Sequence, residues 1–415
     1  MTINSSVSSF KKVLPYALVV FFGYVGFSLP LPILPEMFLD SELGIFPSSY
    51  SREWKTTLLG IVMAAYPCGQ LIGSPILGKC SDKWGRKKII LLSLFGSMIG
   101  YIFTALATDR ASVACIFSGL FICGLCEGNV AIAQSVVADI ASPEEESQKV
   151  SYFGWINLFT CFAFIIGPII GGQLSNSSLV SWFTFSTPFW IASFMTFIGI
   201  CIVLKFSKET RKKDEKESLG YWASFRKGMG HKPLRRIYLI NFFLAFGYFS
   251  YFRFFPVYIE QAFSFNSAML GYTIAYGSIT FAIFSALFLK KIAKWMKPHK
   301  AVALFSLGLA FSFFLVLAPT SVVGLFSVIP LVGLCLSVVM TYAAILVSNA
   351  SSVEFQGQAF GCLTSVQVAA EVLVSLIGGV LAGFFTPLPM IVGSCMLGIA
   401  AFILLASKRI RMHPL

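Results

Sequence analysis

The chain has 415 residues, of which 57% are hydrophobic and only 12% charged, and its formal net charge is +13. A soluble domain carries about 25% charged residues, so this chain cannot cover itself in water and lipid is its natural solvent. In a soluble protein such a basic excess would suggest nucleic acid; here the positions of the charges, between apolar runs, exclude that partner.

Apolar runs of roughly 18 or more residues cross a ~30 Å hydrocarbon core as helices, because lipid offers no partner to unpaired backbone groups. Spans are expected at about 13–35, 55–79, 89–107, 111–138, 151–174, 185–205, 237–259, 267–289, 301–318, 322–348, 358–383 and 388–407. The stretch after Lys11 and Lys12 lacks a small-residue cleavage site, so it reads as the first span and not as a leader. Pro30, Pro32 and Pro35 bend its far end. The ten cysteines are scattered through the apolar runs. Cys123 and Cys126 form a CxxC without a second pair at metal-ligand spacing, and they read as small apolar residues. No metal, cofactor or nucleotide-binding loop is expected.

Charge sets the orientation. With both termini in the cytoplasm, the inner loops collect Lys11, Lys12, the cluster Lys79–Lys88, Lys149, eleven basic residues from Lys205 to Arg236, five from Lys290 to Lys300, and three after the last span. That is 27 of 31 basic residues, a strong positive-inside bias. Arg52, Lys55, Arg110 and Arg253 are the exceptions. The polar stretch 206–236 reads as a cytoplasmic linker, with room for one amphipathic helix, between an N-terminal six-helix bundle (1–205) and a C-terminal one (237–415). The halves also repeat. Gly154, Gly171 and Gly172 recur as Gly361, Gly378 and Gly379 at one offset, and Gly124-Leu125-Cys126 recurs as Gly333-Leu334-Cys335. The fold class expected is therefore an all-α membrane protein of two pseudo-symmetric six-helix bundles.

The loop after span 2 contains Gly78, Asp82, Gly85, Arg86 and Lys87. Gly85 permits a tight turn, and Asp82 can pair with Arg86 four residues on. This segment resembles the Gly-x-x-x-Asp-x-x-Gly-Arg-Arg/Lys signature of the major facilitator superfamily. The resemblance implies a cytoplasmic gating latch, completed by an acid at the end of span 4, where Asp139 stands. Span 5 carries Gly154 and then Gly167-Pro168-Ile169-Ile170-Gly171-Gly172. Small residues so spaced let helices approach closely. The pattern resembles the antiporter motif of twelve-helix drug:proton antiporters, with Ala163 in place of one glycine. Two positions depart from that subgroup: Leu120 stands where span 4 usually holds an arginine, and Gly23 where many tetracycline-type exporters hold an aspartate.

Three charges lie well inside the spans, away from their ends: Glu127, Glu371 and Arg253. A charge at mid-span costs roughly 2.5–3.5 kcal/mol or more, so each is a candidate proton or substrate site. The resemblance implies that spans 4 and 10 line the central cavity and that span 11 flanks it. Arg253 either reaches the interface along its aliphatic stem or binds an anionic substrate. Gln70, Asn129, Gln134, Asn157, Asn241 and Gln367, with Tyr66, Tyr272, Tyr276 and Tyr342, are scattered through the spans, and some of them are expected to line the cavity.

These features point to a monomeric secondary transporter of the inner membrane, working by alternating access, whose partners are a small organic molecule, protons and the bilayer. Proton-driven export is the leading expectation. Uptake of a polar metabolite or a carboxylate-rich metal chelate is the alternative. An enzyme would need a histidine constellation, and His231, His299 and His413 lie in or beside loops with no acid placed as a motif.

Overall fold

A computed structural model describes residues 3–40, 42, 44–47, 49–140, 146–209, 230, 232–351 and 355–406, with side chains for all of these except 3–12, 138, 139, 146–150, 232 and 357. Every regular element among them is helical. In chain order they are α1 (Ile3–Ser28), α2 (Ile33–Leu39), α3 (Arg52–Trp84), α4 (Arg86–Asp109), α5 (Val113–Leu125), α6 (Asn129–Ile140) and α7 (Glu146–Leu174). Then follow α8 (Thr187–Phe206), α9 (Lys232–Phe263), α10 (Ser267–Trp295), α11 (Pro298–Leu317), α12 (Val322–Ala350), α13 (Gln356–Phe384) and α14 (Leu388–Ala406).

Twelve spans among them are long and apolar enough to cross a membrane. They match the sequence expectation closely, although several run a turn or more further: span 2 is Arg52–Trp84 and span 8 is Ser267–Trp295. Hydropathy marks only the part in hydrocarbon, whereas backbone pairing continues into the charged ends. Span 1 stops at Ser28 and resumes as α2 after a turn over 29–32, where Pro30 and Pro32 withdraw backbone donors. Span 4, expected as one helix over 111–138, is two: α5 and α6 flank a turn at 126–128. Most of the expected linker 206–236, with its amphipathic helix, lies outside the described residues.

The chain forms two compact units. The first comprises Met1–Met37, Ala65–Ser218 and Asn266–Tyr272; the second comprises Phe38–Ala64, Leu219–Phe265 and Thr273–Leu415. Helices α3 and α10 thus each contribute to both. In the first unit α1 packs on α6, α7 and α8, and α4 packs on α5, α6 and α8. In the second, α9 packs on α12, α13 and α14, and α11 packs on α12 and α14. Adding six to each span number turns the first set of pairings into the second. The duplication read from scattered glycines is thus present in the packing.

Glycines set the closest approaches. A Cβ at Gly171 would collide with the Leu29 carbonyl oxygen, and its repeat counterpart Gly378 lies against the Phe254 ring. Gly154, Gly361 and Gly78, by contrast, have open space beside them. Their place in the sequence patterns therefore does not come from close packing.

Candidate functional site

The break in span 4 is the most unusual feature of the first unit. It begins with backbone contact between α3 and α5. Gly69 and Gly73 of α3 bring it against the backbone at Phe121 and Leu125, and Gly124 returns the contact at Tyr66. Cys126, Glu127 and Gly128 then leave the helix. Two carbonyls lose their helical donors, and each finds a serine from a neighbouring span. Ser74 of α3 donates to the Glu127 carbonyl at 3.1 Å, and Ser93 of α4 donates to that of Cys126. The Val130 N–H, which would have bonded Cys126 in a continuous helix, is taken by the Asn129 side chain at 2.7 Å. These three freed groups thus find partners inside the protein, as the bilayer demands.

Glu127 lies in this break with 5% of its surface exposed. Tyr24, Tyr66 and Tyr101 surround its carboxylate. The buried Tyr66 hydroxyl faces it and makes no hydrogen bond of ordinary geometry. A Cβ at Gly23 would come within 3.4 Å of a Glu127 carboxylate oxygen, so the absent side chain leaves α1 room for the acid. Phe27 and Phe164 extend the aromatic wall: their rings lie 6.1 Å apart, and Phe27 is 5.2 Å from Tyr66. Among the described residues no Lys or Arg pairs with Glu127.

The other two charges meet each other. Arg253 on α9 forms an ion pair with Glu371 on α13, with 5% and 3% of their surfaces exposed. Arg253 therefore does not reach the surface, and a cation balances Glu371. Tyr248 lies close to the pair.

At the α3–α4 turn the sequence motif takes a definite form. Gly85 is the single residue between the two helices, at φ 107°, a backbone conformation that side chains other than glycine's rarely adopt. The turn brings Arg86 Nη1 to 2.5 Å from Asp82 and 2.9 Å from the Ser81 hydroxyl. A partner missed by sequence reasoning is Glu209, which accepts from the backbone N–H groups of Arg86 and Lys87 at 2.8 and 3.2 Å. The carboxylate thus caps the N-terminus of α4, where negative charge is favoured. Lys87 answers by donating to the carbonyls of Leu204 and Ser207 at the end of α8. One acid among several in the charged stretch 206–217 carries no sequence signal for this. Asp139 belongs to α6, but its side chain lies outside the described residues.

On span 5, Gly167 lies against Ser28, whose hydroxyl donates to the Ala163 carbonyl at 3.2 Å. The Pro168 carbonyl approaches Gly271, and Gly172 approaches the Ser267 carbonyl. The Gly167–Gly172 run is therefore a packed face on α1 and on the first turn of α10. Among the described residues no cluster of three or more His, Cys, Asp or Glu could hold a metal ion.

Twelve spans, a duplicated packing scheme and buried charges inside it define a polytopic membrane protein of two repeated halves. Residues 16–361 match the Major Facilitator Superfamily, and the chain belongs to that family. It is therefore a multi-pass membrane transporter and not an enzyme. The chain is 28% identical over 277 residues to the class B tetracycline resistance protein of Escherichia coli, covering 65% of this chain and 64% of that protein. It is 24% identical over 294 residues to multidrug resistance protein 2 of Bacillus subtilis (strain 168), covering 69% and 67%. The matched region thus spans just under two thirds of the class B protein's length. Among solved structures, the D-xylose-proton symporter aligns with a TM-score of 0.76 at 14% identity, covering 98% of each chain, a likeness of fold alone.

Proposed function

We propose that this transporter exports a small amphiphilic organic molecule across the inner membrane in exchange for protons, and that Glu127 carries the proton. The observation that carries this reading is the contrast between the buried acids. Arg253 compensates Glu371, whereas Glu127 sits in a helix break among tyrosines with no Lys or Arg partner among the described residues. An ionised carboxylate there is costly, and a proton or a cationic substrate relieves that cost. Discontinuous helices at mid-membrane are a recurring way to build substrate and ion sites. The names of the relatives, tetracycline and multidrug resistance proteins, support export. The uptake alternative drew on Arg253 as an anchor for anions, and its pairing with Glu371 removes that support.

In this reading the protein acts as a monomer with both termini in the cytoplasm. Two bundles, 1–205 and 237–415, rock about a midplane site. Gly78, Asp82, Gly85, Arg86, Lys87 and Asp139 form the cytoplasmic latch, and Gly154, Gly167, Pro168, Gly171 and Gly172 the antiporter face of span 5. The test is tetracycline flux in vesicles under an imposed pH gradient. Glu127→Gln keeps the size and hydrogen bonding of the side chain but cannot ionise. It is expected to abolish gradient-driven accumulation while leaving substrate exchange partly intact. If Glu127→Gln still concentrates tetracycline with the wild-type pH dependence, the acid is structural and the coupling reading fails.

A further inference from the structure

The structure assigns a second, separate site: we propose that the first turn of α3 binds an oxyanion through Arg52 and Lys55. These are two of the four basic residues that break the distribution of positive charge along the chain. The site lies at the opposite end of α3 from the Asp82–Arg86 turn, wholly within the second unit, and does not depend on the role of Glu127.

Three costs converge there. Lys55 is a cation with only 5% of its surface exposed, and its side chain has no hydrogen bond or ion pair among the described residues. The Arg52 Nε and Nη2 atoms are buried and donate no hydrogen bond. The acid paired with Arg52 is Glu260, whose Oε2 stands 3.8 Å from Nη2, beyond hydrogen-bonding reach. Buried donors in native proteins are nearly always met, and an unmet one signals a missing water or ion. The third cost comes from the helix. Residues 52 and 55 are three apart and share a face, and they sit at the end of α3 that carries partial positive charge, where cations are disfavoured. Glu53, the acid within that turn, is exposed and on a different face.

The start of α10 shows how this fold treats a helix end already supplied with an anion. There the buried carboxylate of Glu36 accepts from both the backbone N–H and the hydroxyl of Ser267. At α3 two cations occupy the equivalent first turn, and a bound anion would offset all three costs at once. A guanidinium with two available donors, and an ammonium three residues on along the same helix face, suit a carboxylate or a phosphate. Two sources supply that chemistry: the headgroup of an anionic lipid, or a soluble carboxylate or phosphate.

The experiment uses the full chain in nanodiscs. In phosphatidylcholine discs and Tris–chloride buffer, inorganic phosphate should raise the melting temperature in a saturable way. Arg52→Gln and Lys55→Gln should each weaken that response about tenfold or more, the loss of one hydrogen bond to a charged group. In discs containing phosphatidylglycerol, a higher starting melting temperature with no further response to phosphate identifies the lipid as the occupant. A retained response identifies a soluble anion. Lys55→Met serves as the structural control. Without phosphate it should melt no lower than the wild type, because it keeps the buried apolar stem and removes a cation that has no protein partner among the described residues. The proposal is overturned if neither phosphate nor phosphatidylglycerol distinguishes the wild type from the Gln variants. It is equally overturned if Lys55→Met is destabilised in phosphate-free buffer, since Lys55 would then be held by the protein itself.

Discussion

The Arg253–Glu371 pair makes the sharpest test of how charge is managed in this protein. Both side chains are almost fully enclosed, with side-chain exposures of 6% and 4%. Removing one partner of such a pair leaves the other buried and uncompensated, at a cost of about 3–5 kcal/mol. Replacing both by neutral side chains of similar volume removes the desolvation penalty together with the attraction, and is often neutral or stabilising. Arg253→Met alone and Glu371→Gln alone are therefore expected to lower stability strongly. The double variant Arg253→Met/Glu371→Gln should return to within about 1 kcal/mol of the wild type, which makes the coupling energy at least about 5 kcal/mol. The assay is unfolding of the purified protein in detergent across the four members of the cycle, followed by flux measurement in vesicles. In our reading the pair is structural and the double variant still transports. Additive single effects would refute the pairing. A stable double variant that no longer transports would instead move the pair into the substrate site.

Other consequences follow from the same contacts. Asp82→Asn weakens the 2.5 Å contact with Arg86 and should reduce transport severely while membrane insertion, checked by fractionation, stays normal. Gly171→Leu drives a side chain into the backbone of α1 at Leu29. It is expected to cost about 1–3 kcal/mol or more, read as a lower melting temperature, whereas Gly154→Leu, beside open space, should cost far less. Ser74→Ala leaves the Glu127 carbonyl without its donor and is expected to cost about 1–3 kcal/mol. If the break positions the coupling acid, this variant also shifts the pH profile of transport; an unchanged profile with lowered stability would make Ser74 merely structural. Glu209→Gln removes the charge that caps α4 and should lower transport without loss of folded protein, measured as flux per folded molecule.

The sequence by itself determined the class of fold. Twelve apolar runs, the bias of Lys and Arg to alternate loops and the repeated glycines are local or periodic signals, and lipid leaves helices as the only way to satisfy the backbone in such runs. It also located the three charges inside the spans, because a charge in an apolar run is visible without knowing what surrounds it. It could not show that Arg253 and Glu371, 118 residues apart, neutralise each other, nor that Glu209 closes the turn at Gly85. The break in span 4 was hidden for a related reason. Gly-Leu-Cys occurs in both halves, yet α12 runs unbroken through Gly333-Leu334-Cys335, whereas α5 stops at Leu125. The difference lies in what the neighbouring helices offer: Ser74 and Ser93 satisfy the freed carbonyls, and Gly23 leaves space for the Glu127 side chain. Helix propensity and hydropathy are properties of a segment. Whether a helix can open at one point in lipid depends on donors brought from other spans, and only the tertiary structure supplies them.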